Sequence, residues 1–169
     1  MLPAGAATLE RAGWIGFPIW RFAGEQGPIA TLGRFSALNT FFLRGQRVEL
    51  AGGRRLRITA VELGGMLRVV LADEHRRRLA MASAGTRNYA IDGLDFAFWL
   101  NPASGGRGRA AAWDLHDSDG PAARFTRRPV VVSADRPIPV PAVLLGLLLV
   151  QFGIPGEGDL GVPTMRWGP

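Results

Sequence analysis

The stretch that decides the fold is residues 141–154, PAVLLGLLLVQFGI, which is apolar on every side of a helix. It carries no charge, and Gln151 is its only polar side chain. Its helix would span roughly 20 Å, whereas a bilayer core of roughly 30 Å needs about 20 apolar residues. Because a helix that is apolar all round must be buried all round, we predict a buried helix over about residues 141–153. The alternative is that the run anchors the protein in a membrane or in a groove of a partner.

The chain before this run is typical of short strands joined by turns. In residues 54–63, Leu56 and Ile58 alternate with Arg55 and Arg57, which indicates a half-buried strand. The dipeptide at 92–93, Asp-Gly, lies between two apolar segments and predicts a two-residue hairpin turn. We predict about nine to eleven strands between residues 14 and 133. The segment up to residue 12 is the one place before the apolar run where a short helix could form.

Strands and apolar helix together predict the architecture. An antiparallel meander of this size folds into a sandwich or closes into a barrel, and closure removes its exposed edges. A barrel also supplies the apolar wall that the helix needs. We therefore predict a mainly β fold: a closed antiparallel β-barrel of about ten to twelve strands enclosing a hydrophobic C-terminal helix. One domain covers residues 1–169, with its core at about 14–154 and an irregular tail at 155–169. The aromatic side chains expected in the core are Trp14, Phe17, Trp20, Phe22, Phe41, Phe42, Phe96, Phe98 and Trp99.

The composition limits the chemistry. There is no cysteine, which excludes disulfides, thiolate metal sites and a thiol nucleophile. The net charge is +6, and all 20 basic residues are arginine. Codon bias in a GC-rich genome is a sufficient cause of that choice, but a basic surface can still attract anionic lipid or nucleic acid. The first residues carry no basic, apolar leader pattern, so we expect a cytoplasmic protein, or one peripheral at the membrane.

The candidate binding residues are arginines on two neighbouring predicted hairpins. If adjacent strands place them on one face, they form a patch able to hold phosphate or anionic lipid. The alternative is a solvated outer face of the barrel. The candidate residues are Arg44, Arg47, Arg54, Arg55, Arg57, Arg76, Arg77 and Arg78.

The remaining sequence motifs give weaker evidence of a function. The GEGDLG segment at 156–161 matches a dinucleotide fingerprint in letters only, because no strand–helix–strand unit surrounds it. A polar group at Asp114, His116, Asp117 and Asp119 could bind a hard cation but lacks the distal ligands of a calcium loop, so a polar hairpin tip is expected. No nucleophile elbow, phosphate-binding loop or zinc-protease motif is present. We predict a non-enzymatic protein with no cofactor and no metal.

The order of elements, together with the segment RPIPVPAVLLGLLLV at 136–150, resembles the tubby C-terminal-like superfamily, which includes phospholipid scramblases and LURP-one-related proteins. In those families a β-barrel encloses a hydrophobic C-terminal helix. The resemblance covers about residues 14–154. The chain lacks the cysteine-rich segment of scramblases, and Asp135 is the only acid near the start of the helix where they bind calcium.

The resemblance implies a non-catalytic domain that acts as a lipid-associated or protein-interaction module, and it transfers no individual binding residue. The expected partner is an anionic lipid or another protein. Nucleic acid is the less favoured partner, because a nucleic-acid-binding barrel would expose several aromatic side chains beside its arginines.

Overall fold

The computed structural model describes residues 1–12, 19–33, 46–63, 66–85, 88–103 and 111–152. These ranges contain twelve strands and one helix. The strands are β1 Gly5–Ala12, β2 Ile19–Gly24, β3 Gly27–Gly33, β4 Gln46–Leu50, β5 Arg55–Leu63, β6 Met66–Asp73, β7 Arg78–Ala84, β8 Tyr89–Gly93, β9 Ala97–Pro102, β10 Ala112–Asp117, β11 Gly120–Arg127 and β12 Val130–Ala134, and the helix is α1 Val140–Phe152.

The strands form a closed antiparallel barrel, as predicted. Each strand pairs with the next one along the chain, and β1 pairs with β12 to complete the circle. That last ladder runs from Gly5 opposite Ala134 to Thr8 opposite Val131. Side chains alternate along each strand between the interior and the outer surface. Closure leaves none of the twelve strands with a free edge.

Helix α1 fills the interior of the barrel. Every residue from 142 to 150 is buried, and the apolar side chains among them are at most 6% exposed. The helix packs against β6, β7 and β8 on one arc and against β11 and β12 on another. Alanines face it at Ala80 and Ala82 on β7 and at Ala122 and Ala123 on β11, where large side chains would take its space. The buried helix is confirmed, and this structure does not expose the run as an anchor.

The start of α1 is held at one end of the barrel by residues 135–139. Leu2 and Ile138 exchange two backbone hydrogen bonds of 2.7 and 2.9 Å, and both side chains are buried. The Arg136 guanidinium donates to the carboxylate of Asp117 at the β10–β11 turn. Burial alone would raise the pKa of Asp117, but the hydrogen bonds from Arg136 and the Asp119 backbone outweigh it and lower that pKa. Among the described residues, no helix has the length and apolarity needed to cross a membrane.

Residues up to 12 form β1, so the expectation of a short helix there was wrong. Alanine and glutamate favour helices, but Ala7 and Leu9 alternate inward and are buried in the barrel. The ladders to β2 and β12 supply the backbone partners. Tertiary pairing therefore overrides local propensity at this point.

The β8–β9 hairpin turn lies two residues later than predicted. The Gly93 amide donates to the Phe96 carbonyl at 2.9 Å, so Leu94 lies in the turn and is 77% exposed. Phe98 is buried as expected, whereas its neighbour Trp99 points outward and is 44% exposed.

The aromatic part of the core is only partly as predicted. Phe22 is fully buried, and Trp20 and Phe96 are partly buried against the core. The other predicted core aromatics Trp14, Phe17, Phe41 and Phe42 lie outside the described residues. The largest buried side chains include Trp113, Tyr89 and Phe125, and the rings of Tyr89 and Trp113 stack with centroids 5.4 Å apart.

At Gly146, α1 packs closely against the Phe125 ring of the barrel wall. A Cβ at this position would lie 2.8 Å from Cζ and 2.9 Å from Cε1 of Phe125. Alanine favours a helix over glycine by about 1 kcal/mol, but overpacking a core typically costs about 1–3 kcal/mol. We expect Gly146→Ala to lower the free energy of unfolding by about 1 kcal/mol, as measured by urea denaturation.

Shortening the opposing side chain provides the control. In a Phe125→Leu background, the added methyl group should no longer destabilise the protein relative to Phe125→Leu alone. A Gly146→Ala variant that is more stable than the wild type would contradict this packing.

Candidate anion-binding face

Three predicted arginines form a row across the outer surface of β4, β5 and β7. Arg47 lies opposite Arg57, Arg57 lies opposite Ala72 on β6, and Ala72 lies opposite Arg78. All three arginines are exposed. Arg47 and Arg57 face outward because the next positions on the same strands, Val48 and Ile58, are fully buried. Arg78 begins β7 at a register shift against β6, which places it opposite Ala72 although Ala80 on the same strand is buried. We call Arg47, Arg57 and Arg78 the arginine row.

Four further predicted arginines lie beside the row, toward one end of the barrel. Strands β4 and β6 run toward the same end of the barrel, and Leu56 lies opposite Asp73, so the β4–β5 and β6–β7 turns are neighbours. These turns and the start of β5 carry Arg54, Arg55, Arg76 and Arg77, all exposed. Together with the arginine row they form what we call the basic face. The structure thus brings seven of the eight candidate arginines to one side of the barrel, and Arg44 lies outside the described residues.

Asp73 organises the β6–β7 turn and was not singled out from the sequence. Its side chain is only 5% exposed, and its carboxylate accepts hydrogen bonds from the Arg77 amide at 2.9 Å and from Arg77 Nε at 3.0 Å. Its backbone also bonds to Arg76 and Arg77. Burial would raise the pKa of Asp73, but the bonds from Arg77 outweigh burial and lower it. Arg76 takes a positive φ of 63° in this turn.

Charge on the basic face is largely uncompensated. Within the described part of the chain, Arg77 is the only one of its seven arginines with an ion pair. Glu49 lies opposite Arg55 in the ladder but forms no ion pair with it. Elsewhere on the barrel, Arg124 lies 3.6 Å from Asp114, and Arg136 is bonded to Asp117. Six unpaired arginines on one side make this surface a candidate for binding anions.

The polar group predicted at a hairpin tip lies partly along β10 and partly in the β10–β11 turn. Asp117 accepts a 2.9 Å hydrogen bond from the Asp119 amide across the β10–β11 turn and also binds Arg136. Asp114 pairs with Arg124. Among the described residues, no group of three or more histidines and acids is placed to hold a metal ion. The segment at 156–161 lies outside the described residues.

Neither the exposed histidine at residue 75 nor the cleft at the N-terminal segment has the side-chain arrangement of a catalytic site. His75 is exposed in the β6–β7 turn, with Nε2 3.7 Å from the Glu74 carboxylate. A cleft of about 290 Å³ lies between the N-terminal segment and the β2–β3 turn, and Glu25 is the one titratable side chain in its lining. A lone carboxylate in an open cleft gives no nucleophile–base pair.

Comparison of the chain with protein-family models, with curated proteins and with solved structures found no match. The resemblance to the tubby C-terminal-like superfamily therefore stays a prediction.

Removal of the Asp73 carboxylate should destabilise the fold in a pH-dependent way. Because the folded-state pKa lies below the ordinary value of 3.8, the charged carboxylate stabilises the protein above that pH. This stabilisation is lost as the pH falls through the lower, folded-state pKa. We expect Asp73→Asn to melt at a lower temperature than the wild type at neutral pH, with the two melting temperatures converging well below pH 3.8.

Asp92→Asn is the matched control, because Asp92 is exposed on β8. Its melting temperature should follow that of the wild type throughout. An Asp73→Asn variant as stable as the wild type at neutral pH would contradict the structural role of Asp73.

Proposed function

We propose that this chain is a non-catalytic β-barrel module of the tubby and scramblase type, which acts as a lipid-associated or protein-interaction domain. In this proposal the basic face is the contact surface, and its partner is anionic. The observation that carries the proposal is the arginine row, in which Arg47 lies opposite Arg57, and Arg57 and Arg78 lie on either side of Ala72. None of the three has an acidic partner among the described residues.

The chemistry of these side chains supports an anionic partner. Arginine keeps its charge at all physiological pH values, and its planar fork matches carboxylate and phosphate groups. Like charges gathered on one side repel one another, so the cluster does not serve the stability of the barrel. A bound anion would relieve that repulsion.

Nucleic acid has less support as the partner. Proteins that bind single strands commonly stack bases on aromatic side chains beside the basic groups. The described outward neighbours of the row are small or aliphatic, such as Thr59, Val70 and Ala72. The exposed Trp99 lies on β9, two strands beyond β7.

Paired substitutions test whether the basic face binds anions. An arginine near an anionic lipid surface contributes about 1 kcal/mol, so Arg47→Gln/Arg57→Gln should weaken vesicle binding by roughly 30-fold. The probes are vesicles containing phosphatidylserine, assayed by sedimentation, and an acidic peptide, assayed by fluorescence anisotropy. Binding to at least one probe should weaken as salt is raised.

The matched control is Arg21→Gln/Arg124→Gln, which removes the same charge from outward positions elsewhere on the barrel. Arg21 lies opposite Glu10, and Arg124 pairs with Asp114. This control should bind as the wild type does. If the wild type binds neither probe, or if both double variants lose binding equally, the proposal is wrong.

A further inference from the structure

We infer that the partner at the basic face is a flexible acidic segment of another protein, which lies across β4 to β7 and follows the curve of the barrel. This inference rests on the proposed function and names the class of partner. Three features of the barrel support it: the direction of the arginine row, the curvature of the surface beneath the row, and the carboxylates around the end of the barrel that carries Arg54 and Arg76.

The arginine row runs across the strands rather than along them. From Arg47 on β4 to Arg78 on β7 there are three strand spacings, or about 14 Å. An extended peptide covers that distance with roughly four residues. Between Arg57 and Arg78 lies Ala72, whose small side chain is only 9% exposed.

The row lies on a strongly curved surface. Its three strand spacings are three of the twelve strand-to-strand steps of the closed barrel. Because barrel strands tilt by about 35–45° and the row follows the ladder at right angles to them, the outward directions at Arg47 and Arg78 differ by about 50°. A flat lipid surface can face only part of such a row, whereas a disordered segment can wrap around a curved surface and contact all of it.

Carboxylates around the same end of the barrel oppose a flat anionic surface there. The β8–β9 turn, the β10–β11 turn and the segment after β12 expose Asp95, Asp119 and Asp135 at the end that carries Arg54 and Arg76. A membrane pressed against this end would meet these carboxylates together with the arginines, and like charges brought together are repelled. A narrow segment on the side of the barrel avoids them.

Recognition must use side chains. A closed barrel has no free strand edge, so a peptide cannot add as an extra strand. The forked guanidinium groups can instead hold Asp and Glu carboxylates directly. A contact of this kind weakens with salt and depends on how many arginines the segment reaches.

Two single substitutions at opposite ends of the row test the inference on the full-length chain. The probe is a fluorescent twelve-residue peptide of Glu, Asp and Gly, and the same peptide with Gln and Asn is the neutral control. Because exposed ion pairs contribute up to about 1 kcal/mol, we expect Arg47→Gln and Arg78→Gln each to weaken peptide binding by up to about fivefold. Arg21→Gln should leave it unchanged, and the neutral peptide should not bind. Melting temperatures check that each variant is folded.

The outcomes separate this inference from the proposed function. Binding of the acidic peptide that depends on both ends of the row supports it. Two outcomes overturn the acidic-segment inference and leave the proposed function standing. In the first, Arg78→Gln does not change peptide binding; in the second, vesicles bind through the basic face and the peptide does not bind. A single-stranded oligonucleotide that binds more tightly than the peptide also overturns it, in favour of nucleic acid. If none of the three probes binds, both proposals fail.

Discussion

The burial of one uniformly apolar helix inside the barrel is the interaction on which the rest of the structure depends. A barrel of about eight strands can fill its interior with its own side chains, whereas twelve strands enclose more space. Helix α1 occupies that space, and alanines on β7 and β11 provide room for it. Burying one leucine contributes roughly 1.5–3 kcal/mol, and the helix buries five between residues 144 and 149. The barrel and the helix each supply the apolar surface that the other requires.

Because the core lies inside the barrel, the outward-facing side chains have few structural roles. Inward positions on β4 to β7 complete the core, so the alternate positions can carry charge without disturbing it. Among the described residues, Asp73 is the one buried charged side chain, and its carboxylate orders the turn that presents Arg76 and Arg77 on the outer surface. The acids at the β10–β11 hairpin, in contrast, hold elements of the barrel to one another, as in the bond from Arg136 to Asp117.

The helix and the barrel could be predicted because the sequence patterns that indicate them do not depend on the exact position of any one turn or side chain. An uncharged run apolar on all sides admits few environments, and its predicted bounds of 141–153 differ from Val140–Phe152 by one residue at each end. The gathering of the arginines on one side of the barrel followed from hairpin connectivity.

Local structure was harder to predict from the sequence. Strand β1 is built from residues that favour helices and is decided by its ladder to β12, which is distant in sequence. Trp99 faces outward because it alternates along β9 with Phe98 and Leu100, whose side chains are buried in the core. Asp73 was not identified because its role depends on a contact across a turn that only the folded chain shows.

The position of α1 after all twelve strands has a consequence for how the protein forms. Chains emerge from the ribosome N-terminus first, so every strand is available before the segment that fills the barrel. Neighbouring strands can pair early because their partners are close in sequence, but β1 must wait for β12, more than 100 residues later. Contacts of such long range form slowly. During synthesis the apolar inner wall of the barrel therefore has no helix to pack against. The nascent barrel can exclude water from its interior only when α1, the last described element, has been made.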